Sequence, residues 1–87
     1  MNQINAAEET VRRVLSEDVL TLNQAREELK AITGRSPDKA SICRWIHRGV
    51  GGVKLEAVRV GGREILTSTQ AINRFIVART SNMTATA

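Results

Sequence analysis

Apolar residues recur at helical spacing over most of this chain, and the places where that rhythm stops divide it into elements. Ile4, Ala7, Val11, Val14 and Leu15 fall on one side of a helix spanning Asn5 to about Ser16. Glu8 to Arg12 and Glu9 to Arg13 are favourable i,i+4 pairs on the other side. Glu17 to Leu20 reads as a short connection. Thr21 and Gln24 match a capping box, which satisfies otherwise orphaned backbone donors, so a second helix opens there with Leu22, Ala25, Leu29 and Ile32 as its stripe. Gly34 closes it, since glycine takes the left-handed conformation of a helix terminus. Ser36 then opens a third helix with Pro37 at its first position, where a missing N–H costs nothing. Ala40, Ile42, Trp45 and Ile46 face inward, and Gly49 ends the helix.

Beyond Gly49 the period changes. Val53 to Val60 is extended and rich in β-branched residues, and Glu64 to Thr67 is its return strand. Gly61-Gly62 between them suits a two-residue turn, because glycine tolerates the positive φ such turns need. That turn places Val58 opposite Ile65 and Arg59 opposite Glu64, with Arg63 beside the tip. Thr67 and Gln70 match a second capping box, so a last helix starts near Ser68 with Ala71, Ile72, Phe75, Ile76 and Ala78 on its apolar side. Ser81 to Ala87 has little to bury and predicts a frayed tail. The expected division is an appended amphipathic helix over 1–19, a domain over 20–79 and a disordered tail over 80–87.

With 87 residues the chain has room for one small core, in which Trp45 and Phe75 are the only aromatic residues. No apolar run approaches the roughly 18–20 residues that span a bilayer. Met1 to Asn5 lacks the basic-then-apolar layout of a signal peptide, so the expected compartment is the cytoplasm and no membrane partner is expected. Cys43 cannot form an internal disulfide. It shares a helix with His47, but two ligands without a third predict no metal site, and no cofactor is expected. There is no nucleophile motif. Gly49-Val50-Gly51-Gly52 resembles a phosphate loop only superficially, because the following Lys-Ser/Thr is missing, and it reads as a flexible link. These absences argue against an enzyme.

Charge is unevenly placed. Residues 1–33 hold four basic against six acidic side chains, whereas residues 34–87 hold nine against three. A basic half of this kind attracts a polyanion, although an acidic protein would be drawn to it as well. The third helix supplies the chemistry for duplex DNA. Lys39, Ser41, Arg44 and Arg48 lie on its outward side, and Arg44 carries the planar fork that pairs bidentately with guanine. Ser41 is short enough to donate to a phosphate or a base, and Arg48 is placed for the backbone. A solvated polar face on an ordinary surface helix remains the plain alternative. On the hairpin, Arg63 suits a narrow minor groove, while Arg59 serves either DNA or a surface pair with Glu64. Trp45 reads as core, because single-strand binding uses several exposed aromatics.

Leu20-Thr21-Leu22-Asn23-Gln24-Ala25, Ser41-Ile42-Cys43-Arg44-Trp45-Ile46-His47-Arg48-Gly49 and Val58-Arg59-Val60-Gly61-Gly62-Arg63 together resemble the excisionase/MerR-like winged helix-turn-helix pattern over about Leu20 to Arg79. The chain is also similar to a small bacterial family of uncharacterised short proteins. The resemblance implies a mainly α fold of about four helices with a small two-stranded β-hairpin wing. It also implies DNA binding through Lys39, Ser41 and Arg44, with Arg63 on the wing. MerR regulators carry a long C-terminal coiled-coil helix and an effector domain. The chain shows neither, so no small-molecule effector is expected. The N-terminal helix is extra to the pattern, and either caps the core or pairs with a second copy as a homodimer. The expectation is a non-enzymatic, sequence-specific duplex-DNA-binding protein, acting as a transcription regulator or recombination accessory factor. The competing expectation is a winged-helix adapter for an acidic protein.

Overall fold

The computed structural model describes residues 5–85. Four helices and a three-stranded antiparallel sheet follow one another as α1 (Ala6–Leu15), β1 (Val19–Thr21), α2 (Leu22–Thr33), α3 (Lys39–His47), β2 (Val58–Arg59), β3 (Ile65–Ser68) and α4 (Thr69–Ala85). The chain is thus a small mixed α/β domain. Among the described residues no helix is long and apolar enough to cross a membrane.

The second capping box was not needed to find β3, but it misplaces the cap. Thr67 and Ser68 are both fully buried. The Thr67 hydroxyl donates to the Glu56 carbonyl at 2.8 Å, and it is Ser68 Oγ that accepts from the Ala71 amide at 2.9 Å. Gln70 is spent elsewhere: its side chain accepts from the Asp18 amide at 3.0 Å and donates to the Asp18 carboxylate at 2.7 Å. This clamp, with the Thr69 amide on the Asp18 carbonyl, holds the start of α4 to the segment before β1. That segment was expected to be a plain connection. Instead Val19, Leu20 and Thr21 pair with Ser68, Thr67 and Leu66, which makes β3 the central strand in the order β1-β3-β2. Three residues are too few to show an alternating pattern, so β1 depends on its partner rather than on its own sequence.

The core lies where α2, α3 and α4 meet the sheet. Leu22, Ala25, Leu29, Ile42, Leu55, Ala71, Ile72 and Phe75 form it, with Trp45 and Ile46 packed at its edge. A fully buried side chain such as Ile42 contributes about 1.5–3 kcal/mol through removal from water. Trp45 stacks on Phe75 with ring centroids 5.2 Å apart, as its reading as core requires. The stripes were drawn too wide, however: Val11, Leu15, Ile32 and Ile76 are exposed, and so is Ala40. On α1 only Val14 is buried, through contact of the helix with β2 and β3. Ile4 lies outside the described residues.

Three local starts and turns also differ. The cap of α3 is Asp38, two residues beyond Ser36, because its carboxylate accepts from the Ser41 amide at 2.7 Å. Pro37 stays in the turn, where its carbonyl accepts from Arg26 Nε at 2.9 Å. The extended stretch after Gly49 is mostly irregular. Within it Gly51 (φ 58°) and Gly52 (φ 82°) make the two-residue glycine turn, closed by a bridge between Val50 and Val53. At the β2–β3 hairpin the register is one residue longer than expected. Val58 faces Leu66, Arg59 faces Ile65, and the loop is Gly61-Gly62-Arg63, closed by the Val60 amide on the Glu64 carbonyl at 2.9 Å. Neither glycine there has positive φ, so a two-residue primed turn does not form. The helical C-termini at Gly34 and Gly49 are as the sequence indicates. α4 continues through Ser81 to Ala85, and the last two residues of the stretch read as a tail lie outside the described residues.

Candidate nucleic-acid interface

The side chains singled out from the sequence gather on α3 and the β2–β3 hairpin, but they do not play equal parts. Lys39 opens α3, while Arg44 and Arg48 lie one turn apart at its C-terminal end; all three are exposed. Arg63 is exposed in the hairpin loop. Lys39 and Arg63 line one groove of about 160 Å³, together with Thr21, Leu22 and Asn23 from the start of α2 and Glu64 and Ile65 from the hairpin. The longer hairpin loop makes this meeting possible by carrying Arg63 out of the paired strands. Among the described residues, the side chains of Lys39, Arg44, Arg48 and Arg63 make no hydrogen bond or ion pair within the chain.

Ser41 and Arg59 are occupied. Ser41 is half-buried against Asp38, and its side chain, then its amide, hold the Asp38 carboxyl below the usual carboxylate range, assisted by the charges of Arg44 and Arg26. That cap places a carboxylate on the N-terminus of α3, the end of a helix that would otherwise favour an anion. The anion-accepting capacity on this side therefore comes from Lys39 and Arg63, not from the helix dipole of α3. Arg59 folds back along the hairpin, and its guanidinium donates to the Gly62 carbonyl at 3.4 Å.

A second set of cations is structural, and it includes Arg13, which the sequence pairs with Glu9 but which the structure pairs with Glu56. Arg74 on α4 donates to both Glu17 oxygens at 2.6 and 3.0 Å, and its Nε donates to Glu56 at 2.8 Å. Arg13 on α1 completes the cluster by pairing with Glu56. Ser68 donates to Glu17 at 2.7 Å. The Arg74 hydrogen bond, followed by that of Ser68, holds the Glu17 carboxyl below its ordinary value despite partial desolvation. Hydrogen bonding to Glu17 likewise raises the Arg74 guanidinium further above its already high value. The cluster ties α1, the approach to β1, the approach to β2 and α4 together. No spacing rule connects residues 13, 17, 56 and 74.

Fold and surface define a small mixed α/β domain in which, among the described residues, Lys39, Arg44, Arg48 and Arg63, on one helix and one hairpin, are exposed and unpaired, as are Arg12, Lys30, Arg35 and Lys54 elsewhere on the surface. The family described as "Protein of unknown function (DUF1580)" matches residues 27–80, more than half of the chain, and the chain belongs to it. That match covers α3, both strands of the hairpin and most of α2 and α4. No curated protein and no solved structure matches the chain.

Proposed function

We propose that this chain is a winged-helix protein that binds duplex DNA sequence-specifically, as a transcription regulator or a recombination accessory factor. In this reading α2 and α3 are the helix-turn-helix, α3 enters the major groove and the β2–β3 hairpin is the wing. The observation that carries the reading is the meeting of Lys39 and Arg63 in one groove, on the same helix and hairpin that leave Arg44 and Arg48 unpaired. Cations without internal partners are ready to displace counterions from phosphates, at no cost in broken ion pairs. Arg44 is assigned to a base edge, Lys39, Arg48 and Arg63 to backbone or minor groove. Ser41 serves the cap more than the DNA, and Arg59 the wing.

The test is fluorescence anisotropy with random duplex DNA and with sites selected from a random pool, at several salt concentrations. Three phosphate contacts, from Lys39, Arg48 and Arg63, weaken binding about 40-fold between 50 and 200 mM salt, at a slope of about −0.9 per contact. Arg44→Ala costs about 1–3 kcal/mol on a selected site if the arginine reads a base pair bidentately. Arg63→Ala lowers the salt slope, and Arg59→Ala changes binding less than Arg63→Ala. A salt-independent interaction, or undiminished binding with Arg44 and Arg63 both replaced, overturns the proposal.

A further inference from the structure

On α2 and α4, away from the cationic groove, lies an apolar surface that the monomer leaves open. Glu28 and Ile32 of α2 and Ile72 and Ile76 of α4 line a groove of about 460 Å³, which shares no residue with the one that holds Lys39 and Arg63. Ile32 is 61% exposed and Ile76 36%, although they continue helical stripes that bury Leu22, Ala25 and Leu29 on α2 and Ala71, Ile72 and Phe75 on α4. A second hollow of about 250 Å³, lined by Arg79, adjoins the first and shares Ile76 with it. Large apolar side chains grouped in this way, with a polar rim, mark an association surface.

We infer that the occupant is a second copy of this chain, packed about a two-fold axis near Ile76. The charges on the strip support a copy over a different partner. Arg74 also lines the first hollow, but its charge is taken up by Glu17 and Glu56, which leaves Glu28 as the unopposed charge there. The second hollow holds Arg79, whose guanidinium lies 5.6 Å from the Phe75 ring centroid. The strip therefore runs from acidic through apolar to basic. A two-fold operation reverses that order, setting Glu28 of each copy toward Arg79 of the other and isoleucine against isoleucine. This self-complementarity is what an isologous interface requires. From Thr69 to Met83 the strip is about 21 Å long at 1.5 Å per residue, and two helices across it covers about 400 Å² per copy in projection. That is below the ~800 Å² per partner of a standard stable interface, so the dimer is a weak, concentration-dependent one.

Sedimentation equilibrium of the full chain without DNA, from about 5 to 500 µM, tests this directly. The expected result is a concentration-dependent monomer–dimer equilibrium. Ile32→Glu, at the more exposed position, and Ile76→Glu each leave the chain folded by circular dichroism and monomeric throughout. Glu28→Arg weakens association at least tenfold, and the double variant Glu28→Arg/Arg79→Glu restores it. A wild-type chain that stays monomeric to 500 µM, or a dimer indifferent to both isoleucine variants, overturns the inference. The interface does not depend on the DNA reading: loss of DNA binding with the dimer intact refutes only the proposed function.

Discussion

Gly49 is where the end of α3 is turned toward the hairpin, and replacing it with alanine tests that junction at a single atom. Its φ is +79°, in the left-handed region, and a Cβ there would lie 2.5 Å from the Val53 carbonyl oxygen and 2.9 Å from Lys54 Cγ. The lysine stem can move aside. The carbonyl cannot, because it accepts from the Val50 amide at 2.8 Å in the bridge that closes the Gly51-Gly52 turn. Alanine therefore incurs the left-handed penalty of about 1–2 kcal/mol and an overpacking cost of about 1–3 kcal/mol. The expected loss is roughly 2–5 kcal/mol, or about 10–30 °C in Tm for a domain of this size. Two other glycines calibrate the result. Gly34 has φ +80° with open space around it, so Gly34→Ala carries the conformational cost alone, about 1–2 kcal/mol. Gly61 is open and lacks positive φ, so Gly61→Ala stays within about ±0.5 kcal/mol. Thermal and urea melts followed by circular dichroism measure all three. If Gly49→Ala costs no more than Gly34→Ala, the close approach to Val53 is absent. If Gly61→Ala costs as much as Gly34→Ala, the three-residue hairpin loop and its register are wrong.

Stability should fall in acid. Glu17 and Asp38 both have folded-state pKa values below those of the unfolded chain, so their contribution is present above the ordinary carboxylate range near 4 and is lost as pH drops through the depressed values. Tm measured from pH 7 to pH 2.5 declines most steeply below about pH 4, and Glu17→Gln shows a shallower decline than wild type; parallel curves would remove Glu17 from the linkage. Thr21→Ala breaks a reciprocal cap in which Thr21 Oγ1 accepts from the Gln24 amide at 3.1 Å and the Gln24 side chain accepts from the Thr21 amide at 2.9 Å. The expected cost is about 1 kcal/mol, and an unchanged urea midpoint would show that β1 and the core hold the start of α2 without it.

Whether an element could be read from the sequence depended on how local its determinants are. The α2 cap and its Gly34 terminus use residues three or four apart, and both stand in the structure as read. The sequence starts α3 at Ser36 with Pro37 at the first helical position, two residues early, because it is the Asp38–Ser41 hydrogen bond that decides the cap. The sequence places the two-residue turn at Gly61-Gly62 and a flexible link at Gly51-Gly52, and the structure reverses them. Gly51-Gly52 takes the positive-φ turn, while Gly61-Gly62 shares its loop with Arg63, a choice set by pairing with β3 rather than by the dipeptide. β1 and the Glu17–Glu56–Arg74 cluster were invisible because every partner is distant in sequence, Arg74 from Glu17 by 57 residues. At the candidate site, the outward positions Lys39, Arg44 and Arg48 followed from helical spacing. The commitment of Ser41 to Asp38 and of Arg59 to Gly62 required coordinates.

The uneven charge of the two halves changes meaning once partners are assigned. Along the sequence Arg74 belongs to the basic half and Glu17 to the acidic one, yet in space they neutralise each other, with Arg13 and Glu56 drawn into the same cluster. Arg26, from the acidic half, is spent on the Pro37 carbonyl, and Arg79 lies over Phe75. Net charge thus overstates the attraction for a polyanion where these arginines sit and understates it where Lys39, Arg44, Arg48 and Arg63 sit. A polyanion approaching the domain meets unpaired charge on α3 and the hairpin, while the Arg13–Glu56–Arg74–Glu17 cluster presents charges already opposed. On the proposed reading, orientation comes from Lys39, Arg44, Arg48 and Arg63, while Arg12, Lys30, Arg35 and Lys54 add only diffuse charge and the arginines of the cluster have none to spare.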